Sequence, residues 1–246
     1  MNNPEPVVAL VVAAGSGVRL GGAVPKALRL LDGEPLVLHA LRRLAAGGID
    51  RAVVVIRPDE RERFDRALTD LERPTVDLVA GGAERQDSVR AGLDFLAEAV
   101  PTARIVLVHD AARPLVDPAT VRRVVSAVAA GAPAVVPAVA VVDTIRQREP
   151  DGSSVGLDRS RLMAVQTPQG FDLDLLRRAH AAVAADGVGV TDDAGACEHL
   201  GTVVTTVPGS PTGLKITHRD DLVVAEALLR ASTAAPSNTA APSDQE

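Results

Sequence analysis

The stretch that decides the fold is VVALVVAAGSGVRLGGAVPK, which spans Val7–Lys26. Its first six residues, Val7–Val12, are apolar and mostly β-branched, so they predict a buried strand. The small residues that follow, Ala13–Gly17, allow backbone N–H groups to approach an anion closely, and Arg19 and Lys26 add two full charges. A strand that leads into such a loop indicates a phosphate site, and these groups suit a triphosphate better than a single phosphate.

Two common glycine-rich phosphate motifs do not fit this loop. A dinucleotide-binding fold has G-x-G-x-x-G and an acidic residue after the second strand. Here Gly15, Gly17 and Gly21 give G-x-G-x-x-x-G, and the second predicted strand ends in IRPD. A P-loop needs a Gly-Lys pair, which the sequence lacks. The loop therefore predicts a third kind of nucleotide site, and the alternative is a surface loop with incidental charges.

Lysine is rare in this chain. Of the 26 basic residues, Lys26 and Lys215 are lysines and the remaining 24 are arginines. Lysine presents a compact point charge, whereas arginine presents a planar fork. We therefore interpret Lys26, at the end of the glycine loop, as a phosphate ligand, and the alternative is a chance surface lysine.

Short β-branched runs alternate with helix-like segments along the chain. Strands are predicted at Val7–Ala13, Ala52–Ile56, Thr75–Ala80, Arg104–His109, Ala134–Val139 and Thr202–Val207. Helices are predicted at Pro35–Gly48, Asp59–Leu71, Asp87–Val100, Pro118–Ala130, Asp172–Ala185, Asp192–Leu200 and from Thr217 onward. This order predicts an α/β fold with a mostly parallel sheet covered by helices on both faces. Ligands then bind beyond the carboxyl ends of the strands.

The α/β pattern is interrupted once. Residues 141–170 are polar around the turn sequence EPDGSS, which predicts a protruding β-hairpin, with a disordered loop as the alternative. We expect a single domain over residues 1–231 and a disordered tail over residues 232–246, which is rich in Ala, Ser, Thr and Pro. Two helix caps are also expected: Asp87 or Ser88 for one helix, and a capping box of Thr217 and Asp220 for the last.

Composition excludes several classes of partner. The formal net charge of −6 argues against binding to nucleic acid, and three phenylalanines without tyrosine or tryptophan argue against base-stacking platforms. The N-terminal MNNPEP lacks the basic region of a signal peptide, and the apolar runs are too short to cross a membrane. Because the single cysteine, Cys197, cannot form an internal disulfide, we expect a cytoplasmic protein with Cys197 as a small buried residue.

Two other predicted strand ends carry polar groups. GGAERQDSVRAG follows the third strand, and HDAARP follows the fourth. Asp110, at the end of the fourth strand, suits a Mg²⁺ ion, although an aspartate at a strand end is often only a turn residue. Arg113, three residues later, is available for a phosphate. No convincing general base or nucleophile is evident. A reaction whose attacking atom is already an anion near neutral pH needs neither.

Seven motifs carry a family resemblance. They are AAGSGVRL…PK, GGAERQDSV, HDAARP, VVDT, DRSRLMAVQTPQGF, VTDDAG and LKIT, in order from about Val7 to Leu229. Together they resemble the 2-C-methyl-D-erythritol 4-phosphate cytidylyltransferases. The resemblance implies a Rossmann-like nucleotidyltransferase fold. It also implies transfer of CMP from CTP to methylerythritol phosphate, giving 4-diphosphocytidyl-2-C-methyl-D-erythritol and pyrophosphate in the non-mevalonate isoprenoid pathway.

The resemblance also implies residue roles. Arg19 and Lys26 would hold the triphosphate and stabilise the transition state, with Lys215 near the reacting phosphates and Asp110 on Mg²⁺. The ribose and cytosine would be held by Ala13, Ala14, Gly15, Gly81 and Ser88. The methylerythritol phosphate would be bound by Arg113, Thr144, Arg159 and Thr191. Thr144 and Arg159 would lie on a hairpin arm that crosses to a second subunit of a homodimer.

Three alternatives remain open. The acceptor could be another polyol phosphate such as ribitol 5-phosphate, the enzyme could use UTP or GTP on a sugar, or the chain could be a catalytically silent nucleotide sensor. One departure from the family is Ala83, which stands where members often carry a polar residue. If that side chain touches the nucleotide in relatives, the contact is missing here.

Overall fold

A central sheet positions every element of the site. The computed structural model describes residues 6–15 and 24–234. Its strands are β1 (Val7–Val12), β2 (Leu30–Leu31), β3 (Glu34–Pro35), β4 (Arg51–Ile56), β5 (Thr75–Ala80), β6 (Ile105–Asp110), β7 (Ala134–Ala140), β8 (Arg146–Arg148), β9 (Ser154–Gly156), β10 (Met163–Val165), β11 (Gln169–Asp172) and β12 (Thr205–Pro208). In the described residues the central sheet has the order β10-β7-β11-β6-β1-β4-β5, and β12 also pairs with β7. β10 and β11 are antiparallel to their neighbours and the other pairs are parallel, so the predicted mostly parallel sheet is confirmed.

Helices cover both faces of this sheet, as the apolar strands predicted. They are α1 (Leu36–Ala46), α2 (Arg61–Ala67), α3 (Arg85–Ala99), α4 (Pro118–Ala129), α5 (Leu173–Ala185), α6 (Asp193–His199) and α7 (Arg219–Ala234). In β1, Val8 and Leu10 pack toward α3 and α5, whereas Ala9 and Val11 pack toward α1 and α4. Both side-chain rows are therefore buried, which explains why the strand lacks polar alternation. No helix in the described ranges is both long and apolar enough to span a bilayer.

The strand register brings four chain segments to one edge of the sheet. Val12 of β1 pairs with Asp110 of β6, and Ile56 of β4 pairs with Ala80 of β5. The backbone N–H of Ala13 donates to the carbonyl of Val55 at 2.8 Å, which fixes the start of the glycine loop. The carboxyl ends of β1, β4, β5 and β6 therefore meet, as the predicted parallel sheet requires.

The polar segment 141–170 contains the predicted hairpin. β8 and β9 pair in antiparallel register, with Arg146 opposite Gly156 and Arg148 opposite Ser154, and all their residues are exposed. The turn between them includes Gly152 at φ +86, a conformation that favours glycine. The hairpin prediction is therefore confirmed, in place of a disordered loop.

The end of that segment differs from the prediction, because β11 enters the centre of the sheet. It is largely buried between β6 and β7 and has only four residues, QGFD, which are too few for a pattern to indicate a strand. Gly170 sits where α4 crosses the strand, and a Cβ there would lie 2.5 Å from Cγ1 of Val124. The close approach requires glycine, a residue that weakens any strand signal.

Both predicted helix caps are wrong by a few residues. α3 begins at Arg85, and the N–H of Glu84 donates to Oδ2 of Asp87 at 3.3 Å, so Asp87 lies inside the first turn. α7 begins at Arg219, so Asp221 rather than Asp220 accepts from the N–H of Thr217, at 2.6 Å, and from that of His218, at 2.7 Å. α7 ends at Ala234, three residues beyond the predicted domain, and the rest of the predicted tail lies outside the described residues.

Candidate active site

A cavity of about 900 Å³ opens at the carboxyl edge of the sheet. Its walls include eight of the predicted site residues: Ala13, Ala14, Gly15, Lys26, Gly81, Ser88, Asp110 and Lys215. Further lining residues include Arg57, Asp59, Gly82, Ala83, Arg85 and Thr217. The structure therefore brings together, from five separate chain segments, the residues expected to hold a nucleotide.

Lys26 is carried into the cavity wall by a short anchored segment. It begins a one-turn 3-10 helix, Lys26–Leu28, in which Ala27 and Leu28 are buried and the N–H of Leu28 donates to the carbonyl of Pro25 at 3.0 Å. Pro25 is itself buried. These contacts fix the backbone while the lysine side chain faces the cavity. Arg19 lies outside the described residues, so its predicted phosphate contact stays a prediction.

Asp110 is the central anion of the site. Its Oδ2 lies 2.7 Å from Nζ of Lys215, and its Oδ1 lies 3.7 Å from Nη2 of Arg85. Burial alone would raise the pKa of this carboxyl, but the charges of Lys215 and Arg85 outweigh burial and lower the pKa to about 2. Asp110 is therefore ionised at neutral pH and can hold a cation.

His109 fixes the backbone around Asp110 rather than acting as a base. The ring is fully buried between Thr167, whose Oγ1 lies 3.0 Å from Nδ1, and the carbonyl of Arg113, 3.2 Å from Nε2. The same Thr167 hydroxyl accepts from the N–H of Asp110 at 3.1 Å. Burial lowers the pKa of His109 to about 4, so the ring is neutral and orients Asp110 through Thr167.

The loop that carries Lys215 is fixed by backbone contacts along its length. The buried side chain of Gln166 donates to the carbonyl of Ser210 at 2.8 Å and accepts from its N–H at 3.0 Å. A Cβ on Gly213 would lie 3.0 Å from Oε1 of Gln166. The N–H of Ile216 donates to the carbonyl of Ala112 at 2.8 Å, which holds Lys215 beside β6. No role was predicted for Gln166, although it stands in the quoted motif DRSRLMAVQTPQGF.

The predicted acceptor residues lie outside the lining of this cavity. Arg113 donates from Nη1 to the carbonyl of Gly213 at 2.7 Å and from Nη2 to that of Val165 at 3.3 Å. Thr144, Arg159 and Thr191 are exposed, and Arg159 donates to the carbonyl of Val142 at the base of the hairpin. Within one chain, Thr144 and Arg159 are thus not part of the Lys26–Asp110 cavity.

Arg85 is a cavity residue that the sequence analysis missed. Its Nη2 donates to Oδ2 of the buried Asp193 at 2.6 Å and points toward Asp110. The signal was present in GGAERQDSV, but the helix was predicted to start at Asp87 and left Arg85 in a loop without a role. Since α3 begins at Arg85, the guanidinium is fixed at the first turn of a helix that faces the cavity.

Comparisons with known proteins agree on one family. The family model described as 2-C-methyl-D-erythritol 4-phosphate cytidylyltransferase matches residues 7–231. Relatives named 2-C-methyl-D-erythritol 4-phosphate cytidylyltransferase include one from Saccharopolyspora erythraea, 54% identical over 91% of this chain and 99% of the relative. Another, from Streptomyces coelicolor, is 48% identical over 92% of this chain and 86% of the relative.

Solved structures give the same result. The 4-diphosphocytidyl-2C-methyl-D-erythritol synthase of Anaerococcus prevotii aligns with a TM-score of 0.81 at 26% identity, over 93% of this chain and 100% of that one. The 2-C-methyl-D-erythritol 4-phosphate cytidylyltransferase of Thermus thermophilus aligns with a TM-score of 0.71 at 35% identity, over 90% of this chain and 98% of that one.

Proposed function

The chain belongs to the 2-C-methyl-D-erythritol 4-phosphate cytidylyltransferase family, and from this premise we propose that the cavity at the carboxyl edge of its sheet binds CTP for transfer of CMP to methylerythritol phosphate. The observation that carries the proposal is the cluster of Asp110, Lys215 and Arg85, with Lys26 on the same cavity wall. Two cations beside one carboxylate, with a third on the wall of the same cavity, suit a triphosphate together with a divalent metal ion.

The reaction needs charge neutralisation and alignment more than proton transfer. A phosphate oxygen of the acceptor forms a bond to the α-phosphorus of CTP, and the bond between this phosphorus and the bridging oxygen of the β-phosphate breaks. The electron pair leaves with pyrophosphate. Lys26 and Lys215 would neutralise the charge that develops on the phosphate oxygens. The neutral, buried His109 would not take part in proton transfer.

The residues present fit a Mg²⁺ ion at Asp110. The described residues contain no group of three or more His, Cys, Asp or Glu side chains that could hold a metal by themselves. A cation at Asp110 would therefore complete its coordination with phosphate oxygens and water, which is the coordination that Mg²⁺ prefers. When bound, the ion would draw charge from the phosphates and orient them.

The base and ribose would lie against the backbone of Ala13–Gly15 and of Gly81–Gly82. A Cβ on Gly81 would lie 2.7 Å from Oγ of Ser88, and one on Gly82 would lie 2.2 Å from Cβ of Asp87. The glycines thus let the backbone pack closely against the start of α3, where backbone groups can read a base edge. Ala83 contributes no polar side-chain atom there, so base recognition in this chain would rely on backbone groups and Ser88.

The acceptor site would be completed by a second subunit. Arg159 and Thr144 are exposed on or beside the hairpin and do not line their own chain's cavity. We therefore assign the hairpin to a homodimer in which each arm supplies Arg159 and Thr144 to the partner's site, while Arg113 and Thr191 act within the chain. A cytoplasmic location agrees with the single, fully buried Cys197, whose pKa burial raises to about 12.

A substrate panel tests the proposed function. The purified enzyme is given CTP, Mg²⁺ and either methylerythritol phosphate or ribitol 5-phosphate, and pyrophosphate release is followed. We expect rapid pyrophosphate release when methylerythritol phosphate is the acceptor and not when ribitol 5-phosphate is. UTP and GTP in place of CTP control for base selectivity. Faster release with ribitol 5-phosphate, or CTP binding without release, would favour the other polyol enzyme or the silent sensor.

A further inference from the structure

A fully buried carboxylate stands behind the cavity. Asp193, the first residue of α6, accepts at Oδ1 from Nε2 of His180 on α5, at 3.1 Å, and at Oδ2 from Nη2 of Arg85 on α3, at 2.6 Å. Asp193 is 0% exposed and is absent from the cavity lining. Burial alone would raise the pKa of Asp193, but the hydrogen bond from His180 and the charge of Arg85 lower it. Among the described residues, Asp193 is thus an anion whose hydrogen bond to the site is made to Arg85.

His180 is committed to this carboxylate. The ring is 1% exposed, and its other nitrogen, Nδ1, is buried without a hydrogen-bond partner among the described residues. The one hydrogen bond of the buried His180 ring is to Oδ1 of Asp193, so the ring orients this carboxylate. With Oδ1 held by His180, Oδ2 of Asp193 points toward Arg85.

The guanidinium of Arg85 lies closer to one of two neighbouring carboxylates than to the other. The same Nη2 atom lies 2.6 Å from Asp193 and 3.7 Å from Oδ1 of Asp110. The first distance is a charge-assisted hydrogen bond, and the second is beyond hydrogen-bond range. Asp193 thus receives the hydrogen bond that Asp110 would otherwise take, and Oδ1 of Asp110 keeps its lone pairs for another cation.

We propose that Asp193, oriented by His180, is a positioning residue that holds Arg85 beside Asp110 and prevents the guanidinium from closing on it. Arg85 then presents its charge to the nucleotide phosphates while Asp110 stays available to Mg²⁺. The inference rests on the proposed function, because it places CTP and Mg²⁺ in this cavity. Without the Asp193 carboxylate, Arg85 is free to pair directly with Asp110, and a metal ion must displace it.

A double-mutant cycle tests this inference on binding rather than on turnover. CTP is titrated into the enzyme by calorimetry at fixed MgCl₂ without acceptor, so no reaction occurs. Asp193→Asn keeps the side-chain shape but removes the charge. We expect it to raise the dissociation constant of CTP about tenfold, the range found for groups that orient metal ligands. In the Arg85→Ala background we expect the same change to shift the constant less than twofold.

A matched control is available on the same helices. Oδ2 of Asp186, at the end of α5, lies 2.7 Å from Nε2 of His199 at the end of α6, and neither residue of this exposed His–Asp pair lines the cavity. We expect Asp186→Asn to leave CTP binding unchanged. If Asp193→Asn binds CTP normally, or if it weakens binding equally with and without Arg85, Asp193 does not act through Arg85 and the inference is wrong.

The folding of the variants is monitored by thermal unfolding. If Asp193→Asn does not fold, the same cycle is run with His180→Gln, which removes the group that orients Asp193. A smaller loss of CTP affinity that disappears in the Arg85→Ala background supports the inference, and an equal loss in both backgrounds overturns it. The wild-type titration separates this outcome from a failure of the proposed function, since a wild-type protein that binds no CTP contradicts the cavity assignment itself.

Discussion

Nζ of Lys215 lies 2.7 Å from Oδ2 of Asp110, although the two residues are 105 positions apart in the sequence. The contact joins the end of β6 to the loop that precedes α7. An ammonium group at this distance keeps the carboxylate ionised, and it can exchange the carboxylate for a phosphate oxygen because both are anionic acceptors. Lys215 and Asp110 thus form one charge-balanced unit onto which a metal ion and a triphosphate can be built.

Lys26→Ala should abolish most of the turnover without unfolding the protein. Lys26 faces the cavity, while the buried Ala27 and Leu28 hold the segment in place. Loss of one charged transition-state contact costs about 3–4 kcal/mol, or about two to three orders of magnitude in kcat. Pyrophosphate release measures the rate, and thermal unfolding controls for stability. Near-normal turnover would contradict the assignment, and full activity of Lys26→Arg would show that only the charge matters.

Asp110→Asn should raise the Mg²⁺ concentration needed for half-maximal rate. The substitution removes the carboxylate at the end of β6, which is ionised because its pKa is held at about 2. Rate is measured against MgCl₂ at saturating CTP. Asp59→Asn serves as control, since Asp59 also lines the cavity but is hydrogen-bonded to Arg57 at 2.7 Å. An unchanged Mg²⁺ midpoint in Asp110→Asn would locate the metal elsewhere.

Gln166→Ala should lower kcat because it releases the loop that carries Lys215. The change leaves the N–H and carbonyl of Ser210 without the Gln166 partner that both now have. A displacement of about 1 Å in a catalytic group can cost about 100-fold in rate, so we expect a loss of at least about tenfold. Gln86→Ala is the matched control, because Gln86 also donates to a backbone carbonyl, that of Val188 at 3.2 Å, away from this loop. Equal rates for the two variants would show that the Gln166 contact does not position Lys215.

The sequence predicted the parallel core because each buried strand, such as Val7–Val12, is apolar along its whole length. Asp110 and Lys26 could be predicted because each departs from the composition around it: Asp110 is an acid after an apolar strand, and Lys26 is a lysine in an arginine-rich chain. The sequence did not reveal β11, whose four residues include a glycine required by α4. It also did not reveal that Arg85 and Asp193 meet, since they are 108 positions apart and only the folded α3 and α6 bring them together.

Stability should fall in mild acid because of His109. Burial lowers its folded pKa to about 4, whereas an unfolded histidine titrates near about 6.5. Between these values the unfolded chain binds a proton that the folded protein does not, so stability decreases as pH falls from about 6.5 toward 4. From pH 7 to pH 4.5 the contribution is on the order of 2–3 kcal/mol.

Denaturant unfolding of the metal-free protein at both pH values measures this loss. His109→Gln removes the titrating group, so it serves as the control and should show a shallower dependence on pH, even if it is less stable at pH 7. Equal pH dependence of the wild type and His109→Gln would show that His109 is not buried in its neutral form.

Two inactive variants should restore activity to each other if the hairpin serves the partner's site. Lys26 lines its own chain's cavity, whereas Arg159 is exposed beside the hairpin and outside that lining. In a mixed dimer of Lys26→Ala and Arg159→Ala chains, the first chain lends an intact arm to the second, which has an intact Lys26. One of the two sites is then whole. Random exchange makes half of the dimers mixed, so activity should return to roughly a quarter of the wild-type value.

The control for this experiment measures whether the subunits exchange. Chains with two different fluorescent labels report the fraction of mixed dimers by energy transfer, and each variant alone sets the background rate. If Arg159 served its own chain, every site in a mixed dimer would still lack one group, and the mixture would stay as inactive as its components despite full exchange. That result would assign Arg159 to its own subunit and remove the hairpin from the partner's acceptor site.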